Sequence, residues 1–249
     1  RHIPEYLEHQ AVKLFGFYDL NEKRAEELAE KYGGKAYGSV EELLADPQID
    51  AVSVCTANHT HAELTIKALK AGKHVLCEKP MAITLEECQR MVECAEENHR
   101  KLLIGQNQRL TRTHQIARKL IADGEIGNVL SFQTSFQHSG PENWSVDAGK
   151  NTWFFQKKAA AMGVMGDLGI HKTDLIQYLL DDQIVEVTAE FSTLDKCYEN
   201  GEKIDVEDQA LCIYHAWSGW DHACQLGLLW AGGQFYDHLW KRWRHEDLL

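Results

Sequence analysis

With 249 residues, 44% of them hydrophobic and 26% charged, the chain has enough apolar side chains to build packed cores. That excludes a disordered polypeptide and makes two domains the better expectation. Its 26 basic against 38 acidic residues leave a formal charge of −12, which excludes a general binder of nucleic-acid backbones but leaves room for one anionic small molecule held locally.

In chain order, residues 11–18 read as an apolar strand ending at Asp19, and 21–32, rich in Glu, Lys, Arg and Ala, as a helix. Ser39 is the expected N-cap of the next helix, with Glu42 three places on as its capping-box partner and Pro47 after its end. A strand over 49–55, a helix over 61–71 stopped by Gly72, a strand over 74–77, a helix capped by Thr84 and running to about 97, and a strand over 102–105 follow. Strands and helices alternating at this spacing imply βαβ units and a parallel sheet covered on both faces. The expected fold is therefore α/β, a Rossmann-type doubly wound domain over 1–106.

After a helix over 110–123 the pattern changes. Residues 129–137 alternate, 184–194 are rich in Val, Thr and Phe, and a helix over 165–180 lies between them. Residues 107–249 are thus expected to form an α+β domain with a largely antiparallel open sheet. Seven cysteines form an odd set with no close Cys-x-x-Cys pair, so neither a disulfide framework nor a thiolate zinc site is expected, and reduced thiols fit a cytoplasmic setting. No apolar run approaches the ~20 residues that cross a bilayer. Because the chain starts at Arg1 rather than Met, the lack of a leader carries no information.

Three groups of residues carry chemistry. An acidic side chain at the end of the second strand of a dinucleotide-binding sheet accepts hydrogen bonds from ribose hydroxyls, and Asp19 stands at such a place; capping the following helix is the competing reading. The glycine-rich turn that precedes such a residue by about 20 positions would lie upstream of Arg1. Glu78-Lys79-Pro80 follows the strand 74–77 at the carboxyl edge, where ligands gather in open α/β sheets, although a loop lysine is by default solvated surface. In Gly166-Asp167-Leu168-Gly169-Ile170-His171-Lys172-Thr173-Asp174 a regular helix would put Asp167, His171 and Asp174 on one face, where His171 could act as a base; an exposed polar face is the alternative.

The run Ala71-Gly72-Lys73-His74-Val75-Leu76-Cys77-Glu78-Lys79-Pro80, with Thr56-Ala57-Asn58-His59-Thr60-His61 upstream, resembles the cofactor domain of the glucose-fructose oxidoreductase/inositol dehydrogenase/MocA-like (Gfo/Idh/MocA) oxidoreductases. The 167–174 segment resembles that family's Asp-x-Gly-x-His-x-x-Asp helix. The resemblance implies a dehydrogenase moving hydride between a sugar- or polyol-type alcohol and NAD, with NADP open because Lys23 or Arg24 could accept a phosphate. It implies catalytic roles for Lys79, His171 and Asp167, cofactor contacts at Asp19, Thr56, Asn58, His61, Glu78, Lys79 and Pro80, a cis bond before Pro80, and substrate contacts at Arg109 and Asp174. For Arg109 a structural salt bridge is the alternative.

No metal is expected: the pair His59 and His61 has no carboxylate or cysteine at ligand spacing. The family also implies a homodimer or homotetramer through the outer face of the second sheet, with no nucleic-acid or membrane partner. An inactive fragment, or a non-catalytic nucleotide-binding relative, is the alternative function.

The likeness runs from about Phe15 to Tyr214. Five tryptophans, Trp217, Trp220, Trp230, Trp240 and Trp243, then crowd the tail. Tryptophan has one codon, and reading it one base later gives glycine. A frame shift between about Tyr214 and Trp217, affecting 215–249, is therefore expected, with a divergent tail as the alternative.

Overall fold

The computed structural model describes residues 2–219 and 221–227. Most of the tail for which a frame shift is expected, including Trp220, Trp230, Trp240 and Trp243, lies outside the described residues. The chain forms two compact units: one comprises the chain up to Cys55 with His61–Cys77 and Thr84–Leu103, the other Thr56–Thr60, Glu78–Ile83 and the chain from Ile104 onward.

The first unit alternates helix and strand in the order α1 (His2–Glu8), β1 (Gly16–Phe17), α2 (Glu22–Tyr32), β2 (Lys35–Ala36), α3 (Val40–Ala45), β3 (Ala51–Val54), α4 (His61–Lys70), β4 (His74–Cys77), α5 (Leu85–Glu97) and β5 (Leu102–Ile104). β1 pairs parallel with β2, and β3, β4 and β5 form a second sheet in that order with β3 and β4 parallel. No ladder among the described residues joins the two. The strand expected over 11–18 is realised only as Gly16–Phe17, because its ladder partner β2 is two residues long.

Local chemistry sets the helix starts. The Ser39 hydroxyl accepts the Glu42 N–H at 3.0 Å, but the Glu42 carboxylate reaches back to the N–H of Gly38 (3.0 Å) rather than to that of Ser39. Thr84 accepts the Glu87 N–H at 3.1 Å and opens α5. α4 buries Ala62, Thr65, Ala68 and Leu69 on one stripe, and α5, which packs on it, buries Met91, Cys94 and Ala95 at helical spacing.

In the second unit α6 (Arg112–Ala122), β6 (Phe132–Gln137), α7 (Lys157–Ala160) and α8 (Ile170–Leu180) precede β7 (Ile184–Ser192), β8 (Gln209–Ala216) and β9 (Asp221–Gly227). The sheet order is β6-β9-β8-β7, antiparallel except between β6 and β9. β8 alternates, burying Ala210, Cys212, Tyr214 and Ala216 and exposing Leu211 and Ile213. The buried face meets Phe155, Val164, Leu168 and Ile176 in one core. Side chains of this size each contribute about 1.5–3 kcal/mol on burial. A hydrogen bond of 2.8 Å between the Thr173 and Tyr214 hydroxyls ties α8 to the sheet.

The helix expected over 165–180 is not uniform. Met165–Gly169 is a π segment, with the Ile170 N–H donating to the Met165 carbonyl five residues back, and α8 proper follows. Glu207 fixes its entry: its carboxylate accepts the N–H groups of Gly163 (2.9 Å) and Met165 (3.0 Å), and its carbonyl accepts that of Val164 (2.9 Å). No helix among the described residues is long and apolar enough to cross a membrane.

Candidate functional site

The second unit contains the segments that follow β3 and β4 in the chain, so it gathers most of the residues singled out above. The Lys79–Pro80 bond is cis. The Lys79 ammonium donates to the Asp167 carboxylate at 2.9 Å and to the Asp167 carbonyl at 2.8 Å, with both side chains largely buried. The other carboxylate oxygen of Asp167 lies 3.2 Å from Nε2 of His138. Burial alone would raise the Asp167 pKa, but the His138 hydrogen bond and the Lys79 charge outweigh it and bring it down to about 2. The Asp167 carboxylate is therefore ionised at neutral pH.

His171 is buried on α8. Desolvation first, and the positive charge of Lys79 second, push its pKa down to about 4, so it is neutral at physiological pH. Its Nδ1 is sealed from solvent with no hydrogen-bond partner, which leaves Nε2 as the nitrogen available to a ligand. Among the described residues Asp167 makes no hydrogen bond to His171. The π segment separates the two from regular one-turn spacing, and both oxygens of Asp167 are taken by other groups.

Asn58, in a short 3-10 turn with Thr60, is buried and donates to the Ala160 carbonyl at 2.9 Å; Thr56 and Thr60 share a hydroxyl contact of 2.6 Å. His59 meets the Ala159 carbonyl through Nδ1 at 3.2 Å. The Glu78 carboxylate accepts the Lys79 N–H at 3.2 Å. Arg109 and Asp174 form a bidentate pair, with Nε to Oδ2 at 2.7 Å and a second bond from Nη2 to Oδ1, and the guanidinium also lies near the Tyr178 ring. Asp174 thus faces Arg109 and not the Lys79–Asp167 pair.

Two expected residues belong to the first unit. Asp19 follows β1, where its carboxylate accepts the Asn21 N–H at 2.8 Å and pairs with Arg24 at 3.2 Å, so the helix-start contact and an acceptor edge coexist in one side chain. His61 is fully buried at the start of α4 and presents no surface to a ligand, in contrast to the cofactor contact expected of it. Among the described residues no group of three or more His, Cys, Asp or Glu side chains could hold a metal ion.

His138 escaped the sequence reading. A lone histidine one place past an alternating segment has no motif around it. The Ser139-Gly140-Pro141 turn directly after it was the available signal that the strand ends there.

Asp19 is compatible with a dinucleotide: in the first unit it follows a parallel strand with its carboxylate partly open, where an acidic side chain can accept ribose hydroxyls.

The family described as "Oxidoreductase family, NAD-binding Rossmann fold" matches residues 1–106, and the "GFO/IDH/MocA C-terminal domain" matches 114–239. The glucose-6-phosphate 3-dehydrogenase of Bacillus subtilis is 35% identical over 80% of this chain and 56% of its own length. The myo-inositol 2-dehydrogenase of Thermotoga maritima is 33% identical over 73% and 51%. Among solved structures, GenD2 from gentamicin A biosynthesis, in complex with NAD, superposes with a TM-score of 0.84 at 28% identity, over 93% of this chain and 63% of that one. The chain spans about half the length of the curated relatives it matches.

Proposed function

Since the chain belongs to the Gfo/Idh/MocA oxidoreductase family, we propose that it serves an NAD-dependent dehydrogenase that oxidises a secondary alcohol of a sugar or cyclic polyol. The observation that carries this reading is the buried Lys79–Asp167–His138 cluster beside a neutral His171. Relatives named for glucose 6-phosphate and myo-inositol support the substrate class, and a neighbour solved with NAD supports the cofactor.

NAD, when bound, supplies the hydride acceptor. Removing hydride from a carbinol carbon makes its hydroxyl proton strongly acidic, so the site needs a base that is unprotonated at working pH. A histidine held near 4 meets that need, and Nε2 of His171 takes the proton. Lys79, aimed by Asp167, stabilises negative charge on the substrate oxygen. Asp19 accepts ribose hydroxyls in place of a 2′-phosphate, and Arg24, already paired with Asp19, does not offer itself to such a phosphate. Thr56, Asn58, Glu78 and Pro80 shape the nicotinamide end, and Arg109 with Asp174 borders the substrate. Self-association through the outer sheet face is supported by the exposed Leu211 and Ile213.

The test is NAD reduction by this chain over a panel of inositols and hexoses, with binding measured in parallel by calorimetry. Reduction by at least one polyol, lost in Lys79→Ala and His171→Ala, supports the proposal. Turnover that survives both substitutions overturns the residue roles, and cofactor binding with no turnover on any alcohol points to a non-catalytic relative.

A further inference from the structure

The reaction above gives His138 no part, yet its surroundings are built with care. Its Nδ1 accepts the Gly140 N–H at 3.0 Å, so a singly protonated ring carries its proton on Nε2, facing Asp167 at 3.2 Å. The donor is fixed by backbone geometry: Gly140 has φ 113° and ψ 152°, a region that side chains other than glycine's disfavour. A methyl group there would also overlap the Glu142 carboxylate.

That carboxylate accepts Lys196 Nζ at 2.6 Å, and the same ammonium donates to the Ser139 carbonyl at 2.6 Å. Lys196 is buried, and its backbone N–H joins those of Leu194 and Asp195 on the fully buried Asp208. Phe136 and Trp144 stand edge-on to the His138 ring.

We infer that His138 is a positioning residue: the loop 138–142, clamped by Lys196, sets its tautomer, so that it holds one oxygen of Asp167 and leaves the other to Lys79. This rests on the roles proposed above for Lys79 and Asp167. In that tautomer the Nε2 proton is directed at one carboxylate oxygen while Lys79 keeps the other. A proton on Nδ1 as well would break the Gly140 contact and set a second cation in competition with Lys79.

Two measurements test it. Two-bond nitrogen–proton correlation spectra of histidine-labelled protein, assigned by comparison with His138→Gln, are expected to show His138 at neutral pH with Nε2 protonated and Nδ1 bare, and Gly140→Ala to lose that pattern. A proton on Nδ1 in the wild type overturns the inference.

In the NAD reduction assay, His138→Ala and Gly140→Ala should each lower kcat on the order of 10²-fold, the scale of a misplaced catalytic group. The double variant should be no slower than His138→Ala alone; additive losses overturn the relay. If Gly140→Ala does not fold, the amide pair decides: Gln at 138, whose distal N–H reaches towards Asp167, retains most of the rate, whereas Asn does not, and equal loss in both overturns the inference. If the wild type reduces no NAD with any alcohol, the proposed function and the catalytic consequence drawn here fall together, and the spectrum alone decides the tautomer.

Discussion

Lys79 acts on His171 and Asp167 at once, moving both in the same direction by opposite interactions. It lowers the proton affinity of the histidine by like charge and that of the carboxylate by opposite charge. Lys79→Met should therefore move the His171 titration upward from about 4 towards its ordinary value, which a histidine NMR titration reads directly; an unmoved titration would show that burial alone sets it. The same values fix the acid stability. The unfolded chain binds a proton at His171 near 6.5 and the folded chain only near 4, so between these values the unfolded state holds more protons. Stability is complete above about 6.5 and falls as pH drops towards 4. Asp167, held at about 2 against an ordinary 3.8, adds a second loss between those two values. Denaturation midpoints measured from pH 7 to pH 4 should fall for the wild type and fall less for His171→Gln.

At the scale of elements, the entry to the π segment depends on a close approach. A side chain at Gly163 would overlap the Glu207 carbonyl, whose residue holds three successive donors at the start of this helix. Gly163→Ala should cost about 1–3 kcal/mol, the usual penalty of overpacking a rigid contact, and should lower kcat because Asp167 and His171 ride on that helix. Chemical denaturation with the rate assay checks both. Elements of this kind mark the limit of what the sequence discloses. β4 and α5 were legible to the residue because their signals are local: an apolar run, and a threonine three places before the N–H that it accepts. The Glu-Lys-Pro turn and the Asp-to-Asp helix were legible through resemblance. The π widening was not, since it comes from contacts with Glu207, some 40 residues away in sequence. His138 was not, since its meaning lies in a bond to Asp167 and in a glycine at which a side chain would overlap the Glu142 carboxylate. The exact length of β1 depended on its partner strand, which no pattern within 11–18 encodes.

At the scale of the whole molecule, the question is which surface is left over once the cores are filled. The second sheet buries one face of β8 against α8 and the π segment, and the opposite face carries Leu211 and Ile213 beside Glu190 and Thr188 of β7. Two aliphatic side chains in cross-strand register with a carboxylate and a hydroxyl form a narrow apolar stripe within a polar frame, which suits a self-complementary interface between identical copies better than contact with lipid. A two-fold axis through such a stripe would place Leu211 and Ile213 of one copy against those of the other, so a charge at either position is met by the same charge. Sedimentation velocity should therefore find the wild type as a dimer or tetramer, and Leu211→Glu with Ile213→Glu as a monomer that keeps its circular dichroism, because both side chains point away from the core. A wild type that sediments as a monomer at micromolar concentration, or a double variant that still associates, would place any interface elsewhere on the chain.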